Sequence, residues 1–424
     1  MWLLCELYSL LQGNQMMKGM AKISWMIVLS ALLSMVFLFA TFASHAKSVA
    51  HPIFSKVIFF GDSLSDVGNN QDGASDNSPE TNKLPDGNGG YRPGDVWVVP
   101  FVNYLYQQGY LASENAMTIR PSIWFDQNKE INPAESIDFA YSGDPSGGYD
   151  SNNQLTQIHP LKGANSACIS SRNIDPSTLG MNAYCGVLNR ADHFLKNSKI
   201  NHYVDPNALY VIWVGPNDIE QQMTQELMNE IGNGYLDLAT LNALAGKVIR
   251  LTIFSIVETV EDLKNSGAKY FVVINLPNLA YTPQGFLLNE IYTAMTEQPD
   301  VINQLFKTLT DNFNSALATQ LAYTNFPYIT QPDLTTLFNL IHDGEFQAFP
   351  PTSFSVNKTE IHSWKEMCCI NYLDTQNYDP RACNPQSDAG SLCSGPMPKL
   401  ANGQGYYAFY NSIHPTTCAD QYIA

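Results

Sequence analysis

Apolar and polar positions along the chain fall into two kinds of pattern. Val57–Phe60 is a short apolar run, β-branched and then aromatic, closed by Gly61. Ile137–Ala140, Ala208–Val214, Tyr270–Asn275 and Phe326–Thr330 are runs of the same kind. Short unbroken apolar runs between turn-forming residues predict strands buried on both faces of a sheet. Val96–Gln107, Leu241–Ser266 and Val301–Ala322 instead carry apolar residues at helical spacing, the second ending at Gly267. Strands separated by helical stretches predict an α/β fold, with a parallel sheet and helices on both faces. Gln71–Gly94 is rich in Gly, Asn, Asp and Pro and predicts a long loop over the active edge of the sheet. No internal repeat or dividing linker is evident, so residues 47–424 are expected to form a single domain.

The N-terminal pattern is different. Ile23–Ala43 is a nearly continuous apolar run, preceded by Lys18 and Lys22 and followed by Ala43-Ser44-His45-Ala46. A positive start, an apolar centre and small residues at the exit describe a secretory signal peptide, with cleavage expected after Ala46. Residues 1–46 are therefore set apart, and Met20 is an alternative start. The run is also long enough for a membrane anchor. Both readings place the body outside the cytoplasm, secreted or periplasmic.

Composition narrows the function classes. Charged residues make up 14% of the 424-residue chain and the net charge is −17. An acidic chain with no basic tract disfavours nucleic acid as a partner, because phosphate binding needs clustered Lys and Arg. A hydrophobic content of 45% argues against a disordered acidic chain. The eight cysteines show no CxxC pair, so no zinc site is predicted. The Asp residues of the long loop lack EF-hand spacing. In an exported chain, disulfides are expected. Cys168 and Cys185 are the simplest pair, while the cysteines from Cys368 onward allow several pairings. Loss of Cys5 with the leader leaves an odd number.

Candidate chemistry lies at the ends of the predicted strands. Gly61-Asp62-Ser63-Leu64 follows the first strand, at the turn into a helix. Ser63 there is either a capping serine or a nucleophile, since open α/β sheets keep their ligand crevice at the carboxyl ends of the strands. Gly143 follows the second strand, where a missing side chain would let a backbone N–H face the site. Asn217 follows the third, with an amide able to donate to an oxyanion. His414 lies near the C-terminus, in Asn411-Ser412-Ile413-His414-Pro415-Thr416. An ester hydrolase needs a nucleophile, a base and two or three donors around the developing oxyanion, and these positions supply them.

From Val57 to Thr416 the chain resembles the GDSL family of lipases and esterases, also called SGNH hydrolases. The resemblance rests on Gly61-Asp62-Ser63-Leu64 with Ser65-Asp66 and Gly68-Asn69, on Phe139-Ala140-Tyr141-Ser142-Gly143, on Gly215-Pro216-Asn217-Asp218, on Asn275-Leu276-Pro277 and on His414-Pro415-Thr416, in that order. It implies a flavodoxin-like three-layer α/β/α sandwich with a five-stranded parallel sheet. It implies Ser63 as nucleophile and His414 as base, with an oxyanion hole made by the Ser63 and Gly143 N–H groups and the Asn217 side chain. It implies no metal and no organic cofactor.

The chain departs from the family pattern at two positions. Asp138 stands where the second block often has Asn, a change expected to be tolerated. Asn411 stands where the last block has the Asp that orients the histidine. The acid then comes from elsewhere, with Asp420 nearest in sequence; or the site runs as a Ser–His pair assisted by Asn411 or a backbone carbonyl; or activity is weak. Length, leader and an aromatic C-terminal part are most similar to secreted bacterial phospholipases A, lysophospholipases and glycerophospholipid:cholesterol acyltransferases. Phospholipid or lysophospholipid is then the expected substrate, met transiently at a membrane surface, and an activating protease could cut the Ile169–Tyr184 loop. A carbohydrate or small-ester esterase, or a catalytically weak lipid-binding homologue, are the alternatives. Phe338, Leu340, Ile341, Phe346 and Phe349 either face an acyl chain or pack beneath a loop. His159, His193, His202 and His362 are expected at the surface or in packing roles.

Overall fold

The computed structural model describes residues 53–69, 96–147, 175, 179–180, 184–219, 222–223, 225–232, 237–342, 361–367 and 406–409. At 225, 337, 340–342, 361–367 and 406–409 the backbone alone is described. All of them lie in one compact unit, Ile53–Ala424. The leader, the 71–94 loop, Cys168, Asn411, His414 and Asp420 lie outside the described residues. No helix among the described residues is long and apolar enough to cross a membrane.

In chain order the elements are β1 (Val57–Gly61), α1 (Val98–Gln107), β2 (Ile119–Pro121), α2 (Ile123–Asp126), β3 (Ser136–Asp138), α3 (Val187–Lys196), β4 (Leu209–Trp213), α4 (Pro216–Ile219), α5 (Gln225–Gly232), α6 (Leu238–Asn265), β5 (Tyr270–Val273), α7 (Pro283–Thr296), α8 (Val301–Tyr323), β6 (Ile329–Thr330), α9 (Leu334–His342), β7 (Ile361–Met367) and β8 (Tyr406–Phe409). β7 and β8 form a separate two-stranded parallel pair. The main sheet is six-stranded, in the order β2-β3-β1-β4-β5-β6, and every pairing in it is parallel. The sheet therefore has one strand more than expected. The addition is β2, whose Arg120 and Pro121 pair with Ile137 and Asp138 at the edge. Its proline is tolerated because an edge strand has one side without a ladder partner.

Both faces of the sheet are apolar, and the pleat divides each strand between two cores. Ile58, Phe60, Tyr210, Ile212, Phe271 and Val273 face one core. Helices α3, α6 and α8 fill it with Phe194, Ile256, Val260 and Phe313. Val57, Phe59, Leu209, Val211 and Trp213 face the other, which α1 covers with Val98, Val102 and Leu105. Each fully buried Val, Ile, Leu or Phe contributes roughly 1.5–3 kcal/mol. That is why these runs are apolar at successive positions rather than alternate ones.

The helix ends follow local chemistry. The Asp237 carboxylate accepts from the Ala239 and Thr240 N–H groups at 3.0 and 3.2 Å and starts α6. Gly267, at φ +112°, follows the end of that helix, as its position in sequence predicted. Helix α7 begins at Thr282-Pro283, a side-chain cap followed by proline in the first turn. Phe338 is buried on α9.

Candidate active site

β1 ends at Gly61, and its last residue lies against β4. A Cβ there would stand 2.7 Å from the Trp213 carbonyl oxygen, so only glycine lets the strands pair at this point. The chain then turns sharply. Asp62 accepts from Leu64 N–H through its side chain at 3.0 Å and from the Ser65 and Asp66 N–H groups through its carbonyl at 3.0 and 3.1 Å. This turn presents Ser63 at the carboxyl end of β1, with 7% of its surface exposed.

Asp66 builds the next layer. Its Oδ1 accepts from the Gly68 and Asn69 N–H groups, both at 2.7 Å. Its Oδ2 accepts from Ser142 N–H at 3.0 Å, which ties the β1 loop to the β3 loop. Asn69 continues the tie: its amide donates to the Asp138 and Ala140 carbonyls at 2.9 and 2.8 Å, and its oxygen accepts from Ser122 Oγ and Ile123 N–H. Asp138 is fully buried and surrounded by donors. Oδ2 takes Val67 N–H at 2.9 Å and Asn69 Nδ2 at 3.2 Å, and Oδ1 takes Ala140 N–H at 2.8 Å. Burial, with the Asp66 charge beside it, pushes the Asp138 carboxyl well above the usual range.

Gly143 sits in a tight turn. Asp144 N–H donates to Tyr141 O at 3.1 Å, and Gly143 has φ +79°. Glycine is the residue that a positive φ at the third position of a turn requires. The N–H groups of Ser142 and Asp144 are bonded to Asp66 and Tyr141, whereas no described residue accepts from the half-buried Gly143 N–H. Asn217 reaches this turn from α4, past Gly215 at φ +130°. Its Nδ2 donates to the Asp144 carbonyl at 3.0 Å. An amide nitrogen carries two hydrogens, and no other described residue accepts from this one. Asp218, next to it, accepts from Ser146 Oγ at 2.6 Å and Ser146 N–H at 2.9 Å. Burial pushes its carboxyl up to about 6, against the pull of the Ser146 and Thr252 hydroxyls.

Ser63, Gly143 and Asn217 thus stand at the carboxyl ends of three adjacent strands, β1, β3 and β4. Strand order reverses direction at β1, and open α/β sheets bind ligands at such a point. Of the two other site residues expected from sequence, His414 and Asn411, the structure describes neither.

Sequence reading missed Arg190, which is fully buried on α3. It forms a two-point ion pair with Asp144, Nε to Oδ2 and Nη2 to Oδ1, the second at 3.1 Å. Its neighbours Asn189, Asp192 and His193 are polar too, so nothing in the local sequence marked it. His193 is buried and not at the surface. Its Nε2 lies 3.3 Å from Asn197 Nδ2, and its ring packs on Tyr184 at 4.6 Å. Burial and the Arg190 charge push it down to about 4, so it is neutral. Cys185 is disulfide-bonded, and its partner lies outside the described residues.

A cavity of ≈ 1220 Å³ lies elsewhere, walled by Arg120, Glu135, Lys199 and Tyr203 among others, and none of Ser63, Gly143 and Asn217 lines it. Glu135 and Tyr203 precede β3 and β4, so the cavity opens near the amino ends of those strands. The candidate site is therefore the cluster of hydrogen-bonded strand ends, apart from this cavity. No group of three or more His, Cys, Asp or Glu among the described residues could hold a metal ion. Neither a protein-family model nor a curated protein matches the chain.

Proposed function

We propose that the protein is an exported lipid acyl hydrolase of the GDSL (SGNH) type. It acts on phospholipid or lysophospholipid and can pass the acyl group to an alcohol as well as to water. One observation carries the reading: Ser63, Gly143 and Asn217 stand at neighbouring strand ends, and Asp66 and Asn217 hydrogen-bond their loops together. On this reading β3-β1-β4-β5-β6 is the five-stranded sheet of a flavodoxin-like sandwich, and β2 is an edge addition. The strand order second-first-third-fourth-fifth, with β2 set aside, supports it.

The chemistry follows from the residue types. Ser63 Oγ attacks the ester carbonyl carbon, and His414 takes its proton. The carbonyl oxygen becomes an oxyanion that the Ser63 and Gly143 N–H groups and the Asn217 amide stabilise. The bond to the departing alcohol breaks, the alcohol takes the proton from His414, and an acyl-serine remains. Water, deprotonated by His414, releases the fatty acid by the same steps. Asn411 would hold the histidine ring through its carbonyl, without adding a charge.

Release of fatty acid from a panel of phospholipids, lysophospholipids and short acetyl esters tests this, with Ser63→Ala as the blank. Lipid turnover that vanishes in Ser63→Ala, with unfolding temperature nearly unchanged, is the expected result. Cleavage of acetyl esters alone would make it a small-ester esterase. Lipid binding without turnover would make it a binding protein.

A further inference from the structure

We infer that Arg190 is a positioning residue for the oxyanion donors; this rests on the reading of Ser63, Gly143 and Asn217 above. Arg190 touches both ends of the turn that presents the Gly143 N–H. Its guanidinium is paired at two points with Asp144 and stacks over the Tyr141 ring, 3.3 Å from the ring centre. Tyr141 and Asp144 are the first and last residues of that turn. The opposite side is held by Asp66, through Ser142 N–H. The one amide of the turn with no described acceptor, that of Gly143, is thus fixed by a clamp on each side.

The same pair sets the second donor. The Asp144 carbonyl accepts from Asn217 Nδ2, while its carboxylate is held by Arg190. One residue therefore joins the Gly143 turn to the Asn217 amide, and Arg190 decides where that residue sits. The α3 entry completes the support: Val187 and Leu188 donate to the carbonyls of Pro145 and Ser146, both at 3.0 Å.

Stability alone is a poor reason for such a pair. Both side chains have no measurable solvent exposure, and removing two charges from water costs about as much as their attraction returns. What a planar guanidinium adds is geometry, since two parallel N–H···O bonds and a ring stack fix direction as well as distance. Lysine keeps the charge and loses both.

The test compares wild type, Arg190→Lys and the double variant Asp144→Asn with Arg190→Met in the full chain. It measures kcat, KM, thermal unfolding and deuterium uptake of the peptide covering residues 139–147. Arg190→Lys is expected to lower kcat about 10- to 100-fold, below the loss from deleting an oxyanion donor outright. KM should stay within about twofold, because ground-state binding does not use these donors. Uptake at residues 142–144 should rise while global unfolding changes little. The double variant removes both partners of the ion pair, so neither Arg190 nor Asp144 is left as an uncompensated charge; it keeps folding if the single variant does not, and it should show the same kcat loss. Wild-type kcat in a folded variant, or a change in KM alone, overturns the inference. If wild type cleaves no ester, the hydrolase reading fails by itself. Deuterium uptake then decides the clamp, with faster exchange at 142–144 supporting it and unchanged exchange overturning it.

Discussion

Asp138 and Asn411 are the two residues where this chain departs from the pattern it resembles, and they differ in kind. Asp138 receives three N–H donors, which suit a carboxylate, against the burial and the Asp66 charge that push its carboxyl up. An amide there would turn its NH2 group against Val67 and Asn69 on one side or Ala140 on the other. Asp138→Asn should therefore cost about 1–3 kcal/mol by denaturant unfolding at pH 8. A gain in stability would mean that relief from the Asp66 charge outweighs the lost bonds. Asn411 bears on rate instead. A carboxylate behind His414 would stabilise the imidazolium formed when Ser63 gives up its proton. If Asn411 points at His414, Asn411→Asp should raise kcat on the order of ten- to a thousandfold, below the protease precedent. No change, together with loss of activity in Asp420→Ala, would assign the acid to Asp420.

At the scale of elements, short segments do the positioning. Helix α4 spans four residues, yet it aims Asn217 at the β3 loop and Asp218 at Ser146. The Asp218 carboxyl titrates near 6 in the folded chain because burial disfavours its charge. The unfolded chain loses that proton near the ordinary Asp value, so between the two pH values the folded state holds more protons. Stability contributed by that proton is full below about pH 4 and lost as pH rises through about 6, by up to about 3 kcal/mol in all. Wild-type stability minus that of Asp218→Asn, from denaturant melts, should therefore fall between pH 4 and 7. A flat difference would show that the Ser146 and Thr252 bonds cancel the cost of burial.

At the scale of the whole molecule, the strand order brings the β1, β3 and β4 ends side by side, and a disulfide at Cys185 holds the approach to α3. A non-reducing digest should yield one linked peptide pair joining Cys185 to Cys168 across Ile169–Tyr184. That closure would stabilise the fold by about 3 kcal/mol on the loop-entropy estimate. Recovery of Cys185 linked to a cysteine from Cys368 onward would replace that pairing and tie the C-terminal segment to α3.

The apolar runs determined β1, β3, β4, β5 and β6 by themselves. A strand buried on both faces must be apolar at successive positions, and β1, β3, β4, β5 and β6 all fall within the runs or one residue beyond them. They also indicated where Ser63, Gly143 and Asn217 stand, because each lies in the loop or turn that follows a strand. Helix α3 was less visible: Gly186, at φ +82°, precedes it without a side-chain cap, and its buried face includes Asn189, Arg190 and Asp192. The Thr282-Pro283 start of α7, by contrast, is legible in the sequence as a cap followed by proline. Strand order, the edge position of β2 and the clamps around Gly143 belong to tertiary structure alone. Asp144 meets Arg190 across 46 residues and Asp66 meets Ser142 across 76. Local periodicity records which residues are buried; the partner of a buried charge is settled only when distant segments pack together.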